Sequence, residues 1–204
     1  LAKCLGEEQQ LMLAEVTSLS TGIDHIKQIV AAQQSMAKKS DVQTPVDVAK
    51  LIETAINMQG PRQFDGVQIE RNYSEDQSVL LDQHKVLQIL INLISNARQA
   101  VACRAAGERK IGLCVEIDSG PDGSRVRFGV SDNGVGIARQ NLAKIFAHGF
   151  TTKKEGHGFG LHGSANSARE MGGTLTVASE GIDQGATFTL EIPVGSVLGE
   201  TCKL

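Results

Sequence analysis

The chain has 204 residues, a formal net charge of −3, 41% apolar residues, 3% aromatics and no Trp. That length suits one ordinary domain with an appendage or two small domains, and the apolar share suffices for a core. There is no basic block to argue for a nucleic-acid surface, no run near the roughly 18 apolar residues of a membrane span, and no signal peptide.

Cys4, Cys103, Cys114 and Cys202 form no CxxC pair and no close cluster with histidine, the pattern of a reduced, cytoplasmic compartment. Leu1 is not a start methionine, so a fragment of a longer protein is expected, one that makes no membrane contact even if its parent is membrane-anchored.

The first expected element is a helix over residues 7–39. Met12, Val16, Leu19, Ile23, Ile26 and Val30 step by 4, 3, 4, 3, 4, with Ala37 one heptad beyond Val30. Such an a/d seam belongs to a helix packed in a bundle or coiled coil, and a partner helix is preferred over packing on its own domain. Thr44-Pro45 breaks the pattern, because proline biases its predecessor out of the helical region. A domain junction is placed there, giving a helical region over 1–44 and a globular domain over 45–204.

Val46 to Met58 reads as a short helix with Val48, Leu51, Ile52 and Ala55 inward, ended by Gly60-Pro61. VQIERNY (67–73) reads as a strand, and Asp82 to Ala105 as the longest helix of the domain, capped by Asp82. IGLCVEID (111–118) and RVRFGV (125–130) alternate around Pro121-Asp122-Gly123, a hairpin signal. Residues 138–159 read as a short helix and a long polar, glycine-rich loop, followed by a helix from Leu161 to Met171 stopped by Gly172-Gly173. TLTVASE (174–180) and ATFTLEIP (186–193) form a second hairpin. The expected class is α+β, with helices on one face of a mostly antiparallel sheet.

Three stretches carry chemistry. In the long helix, His84, Gln88, Asn92 and Asn96 recur every four residues as a polar stripe on an otherwise apolar helix. This stripe either meets water, bonds nearby backbone, or serves a ligand; an Asn carbonyl is a suitable oxygen for Mg²⁺ beside phosphates. SDNGVGI (131–137) places the Asp132 carboxylate at a strand's mouth, where it can accept from an exocyclic amine such as adenine N6. Gly134 and Gly136 let backbone approach a flat ligand, though Asp-Asn-Gly is also an ordinary turn signal. In FAHGFTTKKEGHGFGLHG (146–163), alternate glycines lead into a helix start, whose unpaired N–H groups and partial positive charge suit a polyphosphate; a surface loop is the alternative. GFGLHG (158–163) also fits the dinucleotide GxGxxG, but no buried strand precedes it, so that assignment is rejected.

Together, HKVLQILINLISNARQA (84–100), SDNGVGI (131–137), IFAHGFTTKK (145–154), GHGFGLH (156–162) and GATFTLEIP (185–193) resemble the N, G1, F, G2 and G3 boxes of the gyrase, heat-shock chaperone, histidine kinase and MutL superfamily. The loop wording is most similar to the catalytic domain of sensor histidine kinases. The resemblance covers about residues 45–193 and implies the Bergerat fold, a two-layer α/β sandwich of mixed, mostly antiparallel sheet backed by three helices. It implies ATP and Mg²⁺, with Asn96 as the metal ligand and Asn92 its companion near the phosphates. Asp132 resembles the adenine N6 acceptor, with Gly134, Gly136 and Ile137 shaping the base pocket. Residues 138–158 would be a lid over the nucleotide; Gly158, Gly160 and Leu161 would lie by the phosphates, and Thr187 would reach the adenine through water. Thr152 and Lys153 would contact the terminal phosphates. Many relatives carry Lys where Gln99 stands, so a cation would come from Arg98 or Lys153, or be absent.

The implied activity is transfer of the ATP γ-phosphate to a protein histidine in two-component signalling, with Asn92 and Lys153 the candidate catalytic residues. Members that hydrolyse ATP carry glutamate at the position of Asn92, and an amide cannot take a proton from water. His25 lacks the acceptor context, so the acceptor is expected upstream of Leu1, with 7–39 as the second helix of a phosphotransfer hairpin, a homodimer through it, and a response regulator as partner. The alternatives are an ATPase coupling hydrolysis to conformational change and a nucleotide-binding scaffold without catalysis.

Overall fold

A computed structural model describes residues 43–73, 78–120, 123–153, 158–195 and 197–198; the helix expected over 7–39 lies outside the described residues. β1 (Thr44–Asp47) turns directly into α1 (Val48–Met58), because Asp47 stays extended and its Oδ1 accepts from the Lys50 N–H at 3.0 Å. The expected helix start at Val46 is thus corrected by one short strand. A 3₁₀ turn (Pro61–Phe64) leads to β2 (Val67–Asn72), and β3 (Ser78–Leu81) precedes α2 (Gln83–Val101). Asp82 caps α2, accepting from the N–H groups of His84 and Lys85, each at 3.1 Å.

α2 ends at Val101, four residues short of the expected Ala105. The Ala100 carbonyl, which would bond the next turn, instead accepts from the Val135 N–H at 3.2 Å, and Arg104 N–H falls back on Val101 O at 2.9 Å. A tertiary bond stops the helix. The remaining elements are β4 (Arg109–Gly120), β5 (Gly123–Asp132), α3 (Arg139–Leu142), α4 (Gly160–Glu170), β6 (Thr174–Ala178), β7 (Ala186–Val194) and β8 (Val197–Leu198).

The main sheet has the order β2-β4-β5-β7-β6, parallel only between β2 and β4. Strand alternation separates its faces. Ile111, Leu113, Val126, Phe128, Val130, Phe188, Leu190 and Ile192 are buried with the inner faces of α1, α2 and α4 in one core. The opposite face is polar: Glu191 accepts from Arg125 and Arg127, each at 2.8 Å, across the β5–β7 pair. The expected sandwich of mixed, mostly antiparallel sheet backed by three helices is therefore present. A second, three-stranded sheet, β1-β3-β8, was not expected from the sequence; its strands are two to four residues long, too short to show a period of two. Among the described residues no helix is long and apolar enough to cross a membrane.

Candidate functional site

α2 joins two halves of a site. Its polar stripe runs from exposed His84 and Gln88 to half-buried Asn92 and Asn96. Asn92 Nδ2 donates to Ser164 Oγ at 2.9 Å, and Ser164, 6% exposed, is the single buried polar residue among the described residues. Asn92 Oδ1 accepts from Asn96 Nδ2 at 3.4 Å. The same oxygen lies against Gly160, where a Cβ would come within 2.5 Å of it. Gly160 is the first residue of α4, and its cap residue, Phe159, offers no side-chain acceptor. The partial positive end of α4 is thereby set beside the two asparagines.

The other half is built at the end of β5. Asp132 is half-buried and its Oδ1 accepts from the Gly134 N–H at 2.8 Å. Burial pushes its carboxyl above the usual range, opposed by the backbone N–H groups of Gly134 and Ala186. Gly134 packs on the backbone of Ala100 in α2, where any side chain would collide. Gly136 has φ 66° and lies against the Gly181 carbonyl, so it is excluded to other residues by both conformation and space. Ile137 is half-buried, its N–H donating to Ser179 Oγ at 3.0 Å.

Of the remaining expected residues, Gly158 packs on Gly149 and Phe150, and Leu161 is half-buried against the core. Thr152 and Lys153 are exposed. Thr187 is a correction. It pairs with Ser131, one residue out of step with Asp132, so its exposed side chain lies on the polar face of the sheet; buried Ala186 is the residue opposite Asp132. Arg98, two residues after Asn96, lies about 200° round α2 from it, on the side of the helix away from the Asn92–Asn96 pair.

Several contributors were not singled out from the sequence. Ser164 faces Asn92 one helical turn after Gly160. Ser179 Oγ donates to Gly185 O at 2.6 Å while receiving Ile137 N–H, tying the loop after β5 to the loop before β7. Arg104 donates through Nε to Asn133 O at 2.9 Å and through Nη2 to Asp183 O at 2.6 Å, clasping the same two loops. Serine and arginine outside a motif give no signal in sequence; only the fold brings them in.

Comparison with known proteins bears on this geometry. The model of the family described as histidine kinase-, DNA gyrase B-, and HSP90-like ATPase matches residues 81–196. The sensor histidine kinase ZraS of Escherichia coli K12 is 39% identical over 113 residues, 55% of this chain and 22% of that protein. The two-component sensor PprA of Pseudomonas aeruginosa PAO1 is 32% identical over 199 residues, 94% of this chain and 20% of that protein. The chain thus spans about a fifth of the length of these two relatives. Among solved structures, full-length ShkA in complex with AMPPNP superposes with a TM-score of 0.63 and 29% identity, over 76% of this chain and 31% of that one.

Proposed function

This chain belongs to the histidine kinase-, DNA gyrase B- and HSP90-like ATPase family and carries a histidine-kinase-type ATPase domain, and from that premise we propose that it binds ATP with Mg²⁺ and delivers the γ-phosphoryl group to a protein histidine. The observation that carries this is the meeting of Asn92 and Gly160, which sets a helix N-terminus beside the Asn92–Asn96 pair while Asp132 sits at the far end of the same α2. The AMPPNP held by ShkA adds support by likeness.

In this proposal the Asp132 carboxylate accepts the adenine N6 amine, and Gly134, Gly136 and Ile137 admit the flat ring. The N–H groups near Gly158, Gly160 and Leu161 face the phosphates, with Thr152 and Lys153 at the terminal phosphate. Asn96 gives one hard oxygen to the cation. Among the described residues no group of three His, Cys, Asp or Glu could form a metal cage. One amide oxygen completed by phosphates and water fits Mg²⁺, which keeps several waters. When bound, the ion neutralises phosphate charge. Transfer breaks the bond from the γ-phosphorus to the ADP oxygen and forms a P–N bond to the acceptor imidazole, which gives up its proton to solvent. Asn92 cannot deprotonate water, which favours transfer over the ATPase alternative. The acceptor is a histidine other than His25. A homodimer through residues 7–39, the 1–44 and 45–204 division, and a response regulator as the next phosphoryl carrier complete the proposal.

Calorimetric titration with AMPPNP tests it. Wild type should bind with Mg²⁺ at about −8 to −5 kcal/mol, micromolar to submillimolar. Asp132→Ala should abolish binding, and Asn96→Ala should lose chiefly the Mg²⁺ dependence. Phosphorylation of a histidine-bearing hairpin supplied in trans then separates a kinase from a scaffold. A wild type that binds no nucleotide sinks the proposal.

A further inference from the structure

Resting on the ATP-binding reading, we propose that His162 is a positioning residue that fixes the root of the nucleotide lid, with Asn166 and Arg169 holding its imidazole in the Nδ1–H tautomer. The assignment follows from donors and acceptors alone. Arg169 Nη1 stands 2.7 Å from one terminal atom of the Asn166 amide, and a guanidinium has only donors, so that atom is the oxygen. The amide nitrogen then faces His162 Nε2 at 3.1 Å as a donor. Nε2 must be the bare acceptor, and the ring proton is left on Nδ1, 2.9 Å from the Phe146 carbonyl, which can only accept. One tautomer satisfies both ends of the ring.

Steps of four and three residues put His162, Asn166 and Arg169 on one side of α4, the helix whose first residue packs on Asn92. Phe146 belongs to the stretch between α3 and α4, half-buried against the core. The His148 ring meets His162 edge-on at 5.2 Å and Phe159 at 5.0 Å, so His148, near the start of this stretch, bridges the His162 imidazole to the residue at the stretch's end. The helix that faces the phosphates therefore also sets where the lid begins.

The test uses the 204-residue chain. Two-bond ¹H–¹⁵N correlation of the histidine rings, in alkaline buffer where imidazoles are neutral, reads the tautomer directly. Wild-type His162 should show the Nδ1–H pattern, and Arg169→Met, which lets the Asn166 amide turn over, should populate Nε2–H. His162→Asn keeps a donor at the reach of Nδ1, whereas His162→Gln places it at the reach of Nε2. AMPPNP affinity should stay within about threefold for His162→Asn and fall about tenfold for His162→Gln. An Nε2–H pattern in wild type, or equal affinities for the two variants, overturns the proposal. If the His162 variants fail to fold, Arg169→Met, an exposed change, still decides through the tautomer. A wild type that shows the Nδ1–H pattern but binds no AMPPNP refutes the ATP reading and, with it, the lid role, while upholding the tautomer assignment.

Discussion

Gly160→Ala separates a helix effect from a site effect in one methyl group. A Cβ at Gly160 would lie 2.5 Å from Asn92 Oδ1 and 3.2 Å from both Cγ and Nδ2. Ordinary C···O contacts are about 3.3–3.6 Å, so the carboxamide must retreat by roughly 1 Å. That retreat strains its bonds to Ser164 at 2.9 Å and Asn96 at 3.4 Å. Losing both costs about 1–3 kcal/mol, and replacing Gly by Ala in a helix returns at most about 1 kcal/mol, leaving a net loss of about 0–3 kcal/mol. Gly163→Ala is the control: Gly163 is exposed in the same helix and a Cβ there meets nothing within 4 Å. It should stabilise by up to about 1 kcal/mol and leave AMPPNP affinity unchanged. Urea unfolding of the two variants should thus differ by about 1–3 kcal/mol, with AMPPNP affinity reduced about tenfold or more for Gly160→Ala alone. In an Asn92→Ala background the Gly160→Ala penalty should vanish, because the colliding atoms are gone. If both alanines stabilise equally and bind AMPPNP as wild type does, Asn92 does not rest on Gly160 and the phosphate half of the site is wrongly drawn.

Asp132→Asn should raise stability at neutral pH while removing nucleotide binding. The folded-state carboxyl is raised above 3.8 by burial, so wild type loses stability as pH rises through its folded pKa, and the Asn variant is spared that loss. Unfolding at neutral pH and at a pH below 3.8 checks this, since the advantage should disappear in acid. The opposite sign applies to Glu53, whose carboxyl is lowered by Arg71, at 2.6 Å from Oε1, with help from Tyr73. Its stabilisation is present above 4.5 and is lost as pH falls through the lowered folded value, so Glu53→Gln should flatten the acid limb of a stability–pH curve without altering AMPPNP binding. Arg104→Met should release Asn133 O and Asp183 O together, weakening AMPPNP binding by about tenfold while leaving the far-UV spectrum native. Unchanged affinity there would show that the clasp does not shape the base pocket.

The legible parts of the chain were those with long periods or strong punctuation. α2 could be read because nineteen residues carry both an apolar face and an Asp cap, and the hairpin of β4 and β5 because residues 111–118 and 125–130 alternate around a Pro-Asp-Gly turn signal. β1, β3 and β8 could not, because strands of two to four residues are defined by their partners and not by their own pattern. The early end of α2 was hidden for a related reason: residues 102–105 are helix-compatible, and only a bond from Val135, far along the chain, removes the carbonyl they would use. Within the site, motif glycines and Asp132 stood out because their types are forced by close approach and charge. Thr187 was misread since the loop before β7 does not announce which of two adjacent residues faces Asp132, and a single step of register exchanges the two faces of the sheet.

The two halves of the site differ in how they are held, and this bears on how a nucleotide would enter. Around Asp132 the chain meets itself backbone to backbone: Gly134 on Ala100, Gly136 on Gly181, Gly185 on the Asp132 carbonyl. Those backbone contacts cannot be undone by a side-chain torsion, and the Ser179 and Arg104 clasps reinforce them. Beside the α4 N-terminus the contacts are side chain to backbone or side chain to side chain, through Asn92, Ser164 and the His162–Asn166–Arg169 chain. Each can be undone by rotating one amide or imidazole. Under the proposed ATP binding, a preformed base pocket joined to an adjustable phosphate side would give affinity through adenine and leave the γ-phosphate end to be ordered on binding. That division would suit the proposed transfer to a protein histidine, because the end of the site that would have to open to the acceptor is the end held by rotatable side chains.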